Sequence, residues 1–388
     1  MKERISRYTY LLCGGHLVTD MNQGALPVII PFLIMEYGFT YTAAASLVFA
    51  LNLVSSIVQP VFGVLADKTN RPWVLSAGVL LAGGGMAATG ILTSYTAIFI
   101  AVMVSGIGIA AFHPDAVRFA NKVAGKNKGT GVSIFSFGGN AGFALGPIVT
   151  VWLIMTFGIK GLTALFIPAV LIAPVLLIAM NRHCRSEEVA RATGALPQET
   201  PGTDRWGAFS LLCALVFSRA FIFFGFNTFL PLYWIHVFKQ SETKASTALS
   251  ILLAVGAVST LISGRMADRF GFRKLIRGGF LLLLPLLGIF VFTSNVAAAT
   301  LLLFPIGVAL YAPLAPMVVV GHKFLPNHIG LSSGVTIGLS ITIGGIAAPL
   351  LGKVADAHGL LPVMYILAAA AVLPALLAFA LPKLHDEA

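Results

Sequence analysis

Six ionisable side chains stand inside long apolar runs. His16 and Asp20 lie in LLCGGHLVTDMNQGALPVII, His113, Asp115 and Arg118 in MVSGIGIAAFHPDAVRF, and Arg219 in LVFSRAFIFFGF. A charge in hydrocarbon costs roughly 2.5–3.5 kcal/mol on insertion scales, so such groups sit where water, a partner or a substrate compensates them. Asp20 or Asp115 can alternate between protonated and ionised forms, and His16 or His113 can relay or share the proton. Arg219 and Arg118 can hold an anionic substrate group. Asn22, Gln23, Asn140 and Asn227 can bind substrate or hydrogen-bond neighbouring helices. Bland readings stand beside these. Arg118 is four residues from Lys122 and can snorkel to the surface. Asp115 can pair with Arg118, and Asp20 with His16, each within its own helix. Pro114 can simply kink its helix. Buried Asp and Arg number two each, so electrostatics alone selects no anion.

The elements that must carry these groups are membrane spans. The 388 residues are 57% hydrophobic and 10% charged, with a mean hydropathy of +0.92. Ordinary soluble domains carry about 25% charged residues. The net charge of +11 does not indicate nucleic acid, because the basic residues lie between apolar runs and not on one soluble face. Cys13, Cys184 and Cys213 show neither disulfide nor zinc spacing. Runs of about 20 apolar residues read as bilayer-spanning helices. Twelve are expected, at 8–36, 43–66, 73–93, 97–124, 129–156, 161–181, 207–237, 244–267, 274–293, 297–325, 330–356 and 361–381. The first lacks a small-residue cleavage site and reads as a retained helix. The polar stretch 182–206, containing Pro197 and Pro201, separates six helices (1–181) from six (207–388).

Basic residues set an orientation. One side receives Lys2, Arg4, Arg7, Lys68, Arg71, Lys122, Lys126, Lys128, Arg182, Arg185, Arg191, Arg205, the cluster Arg265 to Arg277, Lys323 and Lys383. The other receives Lys160, Lys239 and Lys244, with Lys353 at a boundary. The positive-inside rule then places both termini and the central loop in the cytoplasm. The halves also repeat. GVLADKTNRPWVL begins at Gly63 and GRMADRFGFRKLI at Gly264; GGNAGFALGP ends at Pro147 and GLSITIGGIAAP at Pro349. Two matches at one offset of about 200 residues indicate two related six-helix halves, as in many secondary transporters.

The paired loop motif and the Gly-rich fifth span resemble the major facilitator superfamily over the whole chain. The resemblance implies an all-α membrane fold of twelve transmembrane helices in two pseudo-symmetric six-helix halves, working as a rocker-switch carrier with a cavity between them. It also implies that the loop Asp stabilises one gating state through an opposed helix end and nearby basic residues. Gly63, Asp67 and Arg71 match those positions, as do Gly264, Asp268 and Arg273. The first copy departs at Asn70, where Gly is common, and at Pro72, where a second basic residue is. Gly142, Gly146 and Pro147 resemble the antiporter motif of drug–proton exchangers, although small residues four apart also let helices pack closely in lipid. A narrower resemblance, carried by GGHLVTDMNQGALPVIIPFL and GIGIAAFHPDAVRFA, is to the fosmidomycin-resistance group of efflux carriers. It implies a drug or phosphonate substrate.

Depth links the chemistry to the spans. His16 follows Arg7 by nine residues and His113 precedes Lys122 by nine, so both lie about 13 Å inside by the helical rise. His16 and Asp20 share a helix face. The expectation is one polar cluster of Asp20 with His113 and Asp115. Arg219, fourteen residues after Arg205, lies about 21 Å in, near the midplane. No Walker phosphate loop, metal-spaced Cys/His cluster or HExxH helix is present. The reading is a monomeric, proton-driven exporter of small molecules in a bacterial inner membrane. It expects no metal, no cofactor and no nucleic-acid partner. Rivals are a proton-coupled uptake symporter for an organic anion or other metabolite, a membrane enzyme, and a receptor without flux.

Overall fold

A computed structural model describes residues 6–39, 41–68, 71–192 and 202–384. Among them every regular element is a helix. The first half contains α1 (Arg7–Tyr37), α2 (Tyr41–Ile57), α3 (Gln59–Lys68), α4 (Trp73–Ala88), α5 (Tyr95–Val123), α6 (Lys128–Phe157) and α7 (Phe166–Ala192), the last entered through a 3-10 turn, Ile159–Leu165. The second contains α8 (Trp206–His236), α9 (Glu242–Phe270), α10 (Phe272–Phe292), α11 (Val296–Tyr311), α12 (Leu314–Phe324), α13 (Ile329–Ser333), α14 (Ser340–His358), α15 (Leu360–Ala370) and α16 (Val372–Ala380). A π-helical segment, Gly334–Leu339, joins α13 to α14.

Ten described helical stretches are long and apolar enough to cross a membrane, and Trp73–Ala88 and Ile329–Ile343 are shorter apolar helices. Proline accounts for several of the breaks. Pro60, Pro313 and Pro374 each lack an amide hydrogen and crowd the carbonyl four residues back, so α2, α11 and α15 end nearby and a new helix starts. Ser6, Ser94 and Asn295 cap α1, α5 and α11 by accepting from the amides of Tyr8, Ala97 and Ala298. Gly38 closes α1 in the left-handed region, at φ 67°.

The contacts divide the chain into two units. The first comprises Met1–Lys126, Ile134–Asp204 and Pro326–Gly338. Its core joins Leu26, Ile29 and Leu33 of α1 with Leu51 of α2, Met86 of α4 and Val102 of α5. The second comprises Asn127–Ser133, Arg205–Leu325 and Leu339–Ala388. Phe226, Tyr233 and Trp234 of α8 pack there against Phe290 of α10. Large apolar side chains such as Ile148, Trp152, Leu171 and Phe292 are exposed, as lipid-facing residues are. The first part of the expected 182–206 linker continues α7 as helix, to Ala192. Asn70, Pro197 and Pro201 lie outside the described residues. The linker's far end is fastened within the first unit. Asp204 accepts from the Asn327 amide at 3.1 Å and meets His328 Nδ1 at 2.9 Å. Partial burial pushes the Asp204 carboxyl up, but the hydrogen bonds from Asn327 and His328 outweigh it and hold the group below the usual carboxylate range.

Candidate functional site

Three side chains from two helices converge in the first unit. Asp20 Oδ2 lies 3.1 Å from His16 Nε2, and Asp20 Oδ1 lies 3.0 Å from His113 Nε2. The two Nε2 atoms are 3.1 Å apart. His16 and His113 are 7% and 4% exposed. Each ring is fixed by its other nitrogen: His16 Nδ1 donates to the Phe135 carbonyl of α6 at 2.7 Å, and His113 Nδ1 to the Ile109 carbonyl of α5 at 2.8 Å. A carbonyl only accepts, so each Nδ1 carries a hydrogen and each neutral ring turns its Nε2 lone pair inward. Without a further proton, two lone pairs and a carboxylate would face one another across about 3 Å, which is repulsive. One proton on either Nε2 makes an imidazolium–carboxylate pair. A second charges the other ring. The geometry therefore suits a proton shared among the three side chains.

Helix α6 makes room for this cluster. A Cβ at Gly139 would stand 2.7 Å from Asp20 Oδ2 and would also strike the His16 ring. Along the same helix, Cβ atoms at Gly138, Gly142 and Gly146 would strike the carbonyls of Cys13, Leu17 and Met21 in turn. The Gly-rich stretch thus lays the backbone of α6 directly on that of α1. Phe135 stacks on the His16 ring, with centroids 4.0 Å apart. Pro147 sits within α6, one residue beyond this glycine series.

Asp115 does not join the cluster. It is 2% exposed and pairs with Arg118 of its own helix, whose Nη2 and Nε lie 2.8 and 3.1 Å from Oδ1. The expected His113–Asp115 partnership fails for a geometric reason. Residues two apart on a helix point to different sides. Arg118 is likewise not an isolated anchor for a ligand. It neutralises Asp115, stacks on Phe119 at 5.1 Å and lies close enough to Asp67 to act on it electrostatically.

The repeated loop motif has one geometry in both units. Asp67 accepts from the amides of Gly330 and Leu331 at 2.6 and 2.9 Å, at the start of α13. Asp268 accepts from the amides of Gly129 and Thr130 at 2.9 and 2.8 Å, and from the Thr130 hydroxyl at 2.7 Å, at the start of α6. Each carboxylate sits on unpaired amides and on the positive end of a helix dipole. Gly63 against Gly330, and Gly264 against Gly129, permit the backbone approach that these bonds need. The basic partners differ from expectation. Arg71 is exposed, and Arg118 is the arginine that acts on Asp67. Arg273 donates not to Asp268 but to the Leu381 carbonyl, at 2.7 Å, just beyond α16.

Arg219, 5% exposed, lies in the second unit. Its Nε donates to the Leu310 carbonyl at 2.9 Å, in the last turn of α11. Its guanidinium lies over the Phe223 ring at 4.8 Å and near the Tyr311 ring at 5.9 Å. Asn227 bonds back to the Phe223 carbonyl at 2.6 Å. In the first unit Asn22 bonds back to the Val18 carbonyl at 2.8 Å, and Gln23 reaches Asn52 Oδ1 at 3.5 Å. Asn22 thus bonds within its own helix, and Gln23 across to α2. Asn140 has a buried amide nitrogen without a hydrogen-bond partner. Phe135, Gly139 and Tyr311 were not singled out by sequence, and Phe223, in FIFFGFNTF, reads there as lipid or packing surface. The paired Gly138–Gly139 was the available sign for one of them.

The donor atoms of His16, Asp20 and His113 lie within 4.8 Å of one another, so these three could also gather round a divalent transition metal, which two imidazoles and a carboxylate suit. Ninety-seven residues separate the two histidines, so chain spacing does not reveal the set.

Comparison with known proteins follows from this geometry. The family model described as Major Facilitator Superfamily matches residues 12–336. An MFS-type transporter of Bacillus subtilis (strain 168), YfnC, is 32% identical, over 97% of this chain and 93% of its own. The fosmidomycin resistance protein of Escherichia coli (strain K12) is 30% identical, over 95% of this chain and 91% of its own. The crystal structure of the major facilitator transporter FucP in the outward conformation superposes with a TM-score of 0.74 at 14% identity, covering 97% of this chain and 98% of FucP. With ten membrane-length apolar helices and two shorter ones among the described residues, a repeated loop motif and a family match along most of its length, this chain belongs to the major facilitator superfamily of membrane transporters.

Proposed function

We propose that the protein is a proton-coupled exporter of small molecules that works by alternating access, with His16, Asp20 and His113 as its proton site. One observation carries this reading: two imidazoles, each fixed through Nδ1 to a backbone carbonyl, turn their Nε2 atoms onto a single buried carboxylate. Asp20, not Asp115, is then the coupling carboxylate, because Asp115 is engaged by Arg118 of its own helix and stands outside the cluster. Efflux, and a phosphonate drug as substrate, are supported by the likeness to a fosmidomycin resistance protein. Asp67 and Asp268, each closed on a helix start, act as gating latches. Gly142, Gly146 and Pro147 supply the α1–α6 contact of an antiporter. The halves 1–181 and 207–388 act as the moving bodies of a monomer, joined by 182–206. The protein sits in a bacterial inner membrane with both termini in the cytoplasm, as the basic loops favour.

The test is export of fosmidomycin from cells treated with a protonophore while ATP is held normal. Export should collapse. Undiminished export would reject proton coupling, and accumulation in place of export would favour the uptake symporter.

A further inference from the structure

We infer that Arg219, with Tyr311 and Asn227, forms an oxyanion-binding site in the second unit, which selects substrates bearing a carboxylate or phosphonate group. The inference deepens the transport reading by naming the substrate class, and it rests on that reading for the ligand being a transported one.

The local chemistry is one-sided. A guanidinium offers five N–H donors. Leu310 takes the one on Nε, and Nη2 is buried without a hydrogen-bond partner. Among the described residues no carboxylate pairs with Arg219. The Tyr311 hydroxyl is also buried, and the Asn227 side chain lies within reach of it. Arg219, Phe223 and Asn227 recur every four residues, so one face of α8 presents a cation, a ring and an amide together. Phe223 covers one face of the guanidinium, at 4.8 Å. A buried cation that has only a helix carboxyl end and two rings for compensation lacks a counter-charge. A planar two-oxygen anion supplies it and satisfies Nη2 in a forked pair.

Helix packing alone would account for the Leu310 bond. It does not account for a second guanidinium nitrogen buried without a hydrogen-bond partner beside the Tyr311 hydroxyl. Such a nitrogen costs about 1–3 kcal/mol if nothing ever binds.

The experiment is equilibrium binding to purified full-length protein in lipid-free detergent, without any gradient. The probes are fosmidomycin, phenylphosphonate and benzoate, set against methyl benzoate and tetraphenylphosphonium. Wild type should bind the anions and bind the ester and the cation at least about 10-fold more weakly, as expected for a charge-assisted bond. Arg219→Gln should lose about 10- to 100-fold in anion affinity, and Arg219→Lys should fall between the two. Tyr311→Phe should weaken anions alone. Monodispersity by size exclusion guards against misfolding, and the wild-type comparison of benzoate with its ester stands even if a variant fails. Anion binding at wild-type strength in Arg219→Gln, no anion binding in wild type, or equal affinity for benzoate and methyl benzoate would overturn the inference. The absence of phospholipid separates a soluble anion from a lipid phosphate: binding that needs added phospholipid overturns it too. Anion binding lost in Arg219→Gln, together with export that ignores the proton gradient, would refute the transport mechanism and leave this site standing.

Discussion

At the scale of single residues, proton count decides which groups matter. His16 and His113 each commit Nδ1 to a carbonyl, so only Nε2 is free to gain or lose a proton, and both Nε2 atoms share one carboxylate. Removing the charge of Asp20 removes the reason for that proton to be there. Asp20→Asn should therefore reduce proton-driven export at least about 100-fold, the low end of what a positioned proton-transfer group contributes to a rate. Asp115→Asn should keep substrate-induced proton release, because its carboxylate serves Arg118. Proton release measured with a pH dye in both variants checks this, and loss in Asp115→Asn with persistence in Asp20→Asn would reverse the assignment. The shared face of His16 and Asp20 could be read from their spacing, and the matched depths of His16 and His113 from the helical rise. What spacing could not show was the Phe135 carbonyl, the aromatic cover on Arg219 or the Arg118–Asp67 approach. These come from segments far apart in the chain.

At the scale of elements, glycine does the positioning. Gly138, Gly142 and Gly146 run α6 along the carbonyls of α1, and Gly139 leaves the gap that the proton cluster fills. Gly139→Ala should reach the membrane in near-normal amount, with an overpacking cost of about 1–3 kcal/mol. It should still lose proton-coupled transport, since the new methyl group would stand against Asp20 and His16. Transport at the wild-type rate in proteoliposomes would show that the gap is not needed. The twelve spans and the paired motif were readable because hydropathy and repetition are local signals. The proline breaks within α2–α3 and α11–α12 were not, as apolar residues run straight through them. Nor was the extension of α7 to Ala192, where polar residues continue a helix beyond its apolar length.

At the scale of the whole molecule, the two units are alike in plan and unlike in charge. One holds a carboxylate between two imidazole rings, and the other a buried guanidinium that pairs with no carboxylate among the described residues. The repeat predicted the common plan. The difference lies in residues that the repeat does not share; their types and half were readable in the sequence, and their partners emerged from coordinates. That unmatched guanidinium has an electrical consequence. If it carries a monoanion outward while one proton returns, each turnover moves two charges in the sense that an interior-negative membrane favours. Each elementary charge gains about 2.3 kcal/mol per 100 mV. Voltage alone would then drive export with no difference in pH. A cationic substrate exchanged for one proton would move no net charge and would ignore the voltage. A potassium diffusion potential, interior negative, should thus accelerate anion release from proteoliposomes at equal pH on both sides. Rates that stay the same with and without valinomycin would mean that the carrier works as a chemical exchanger and not as an electrical one.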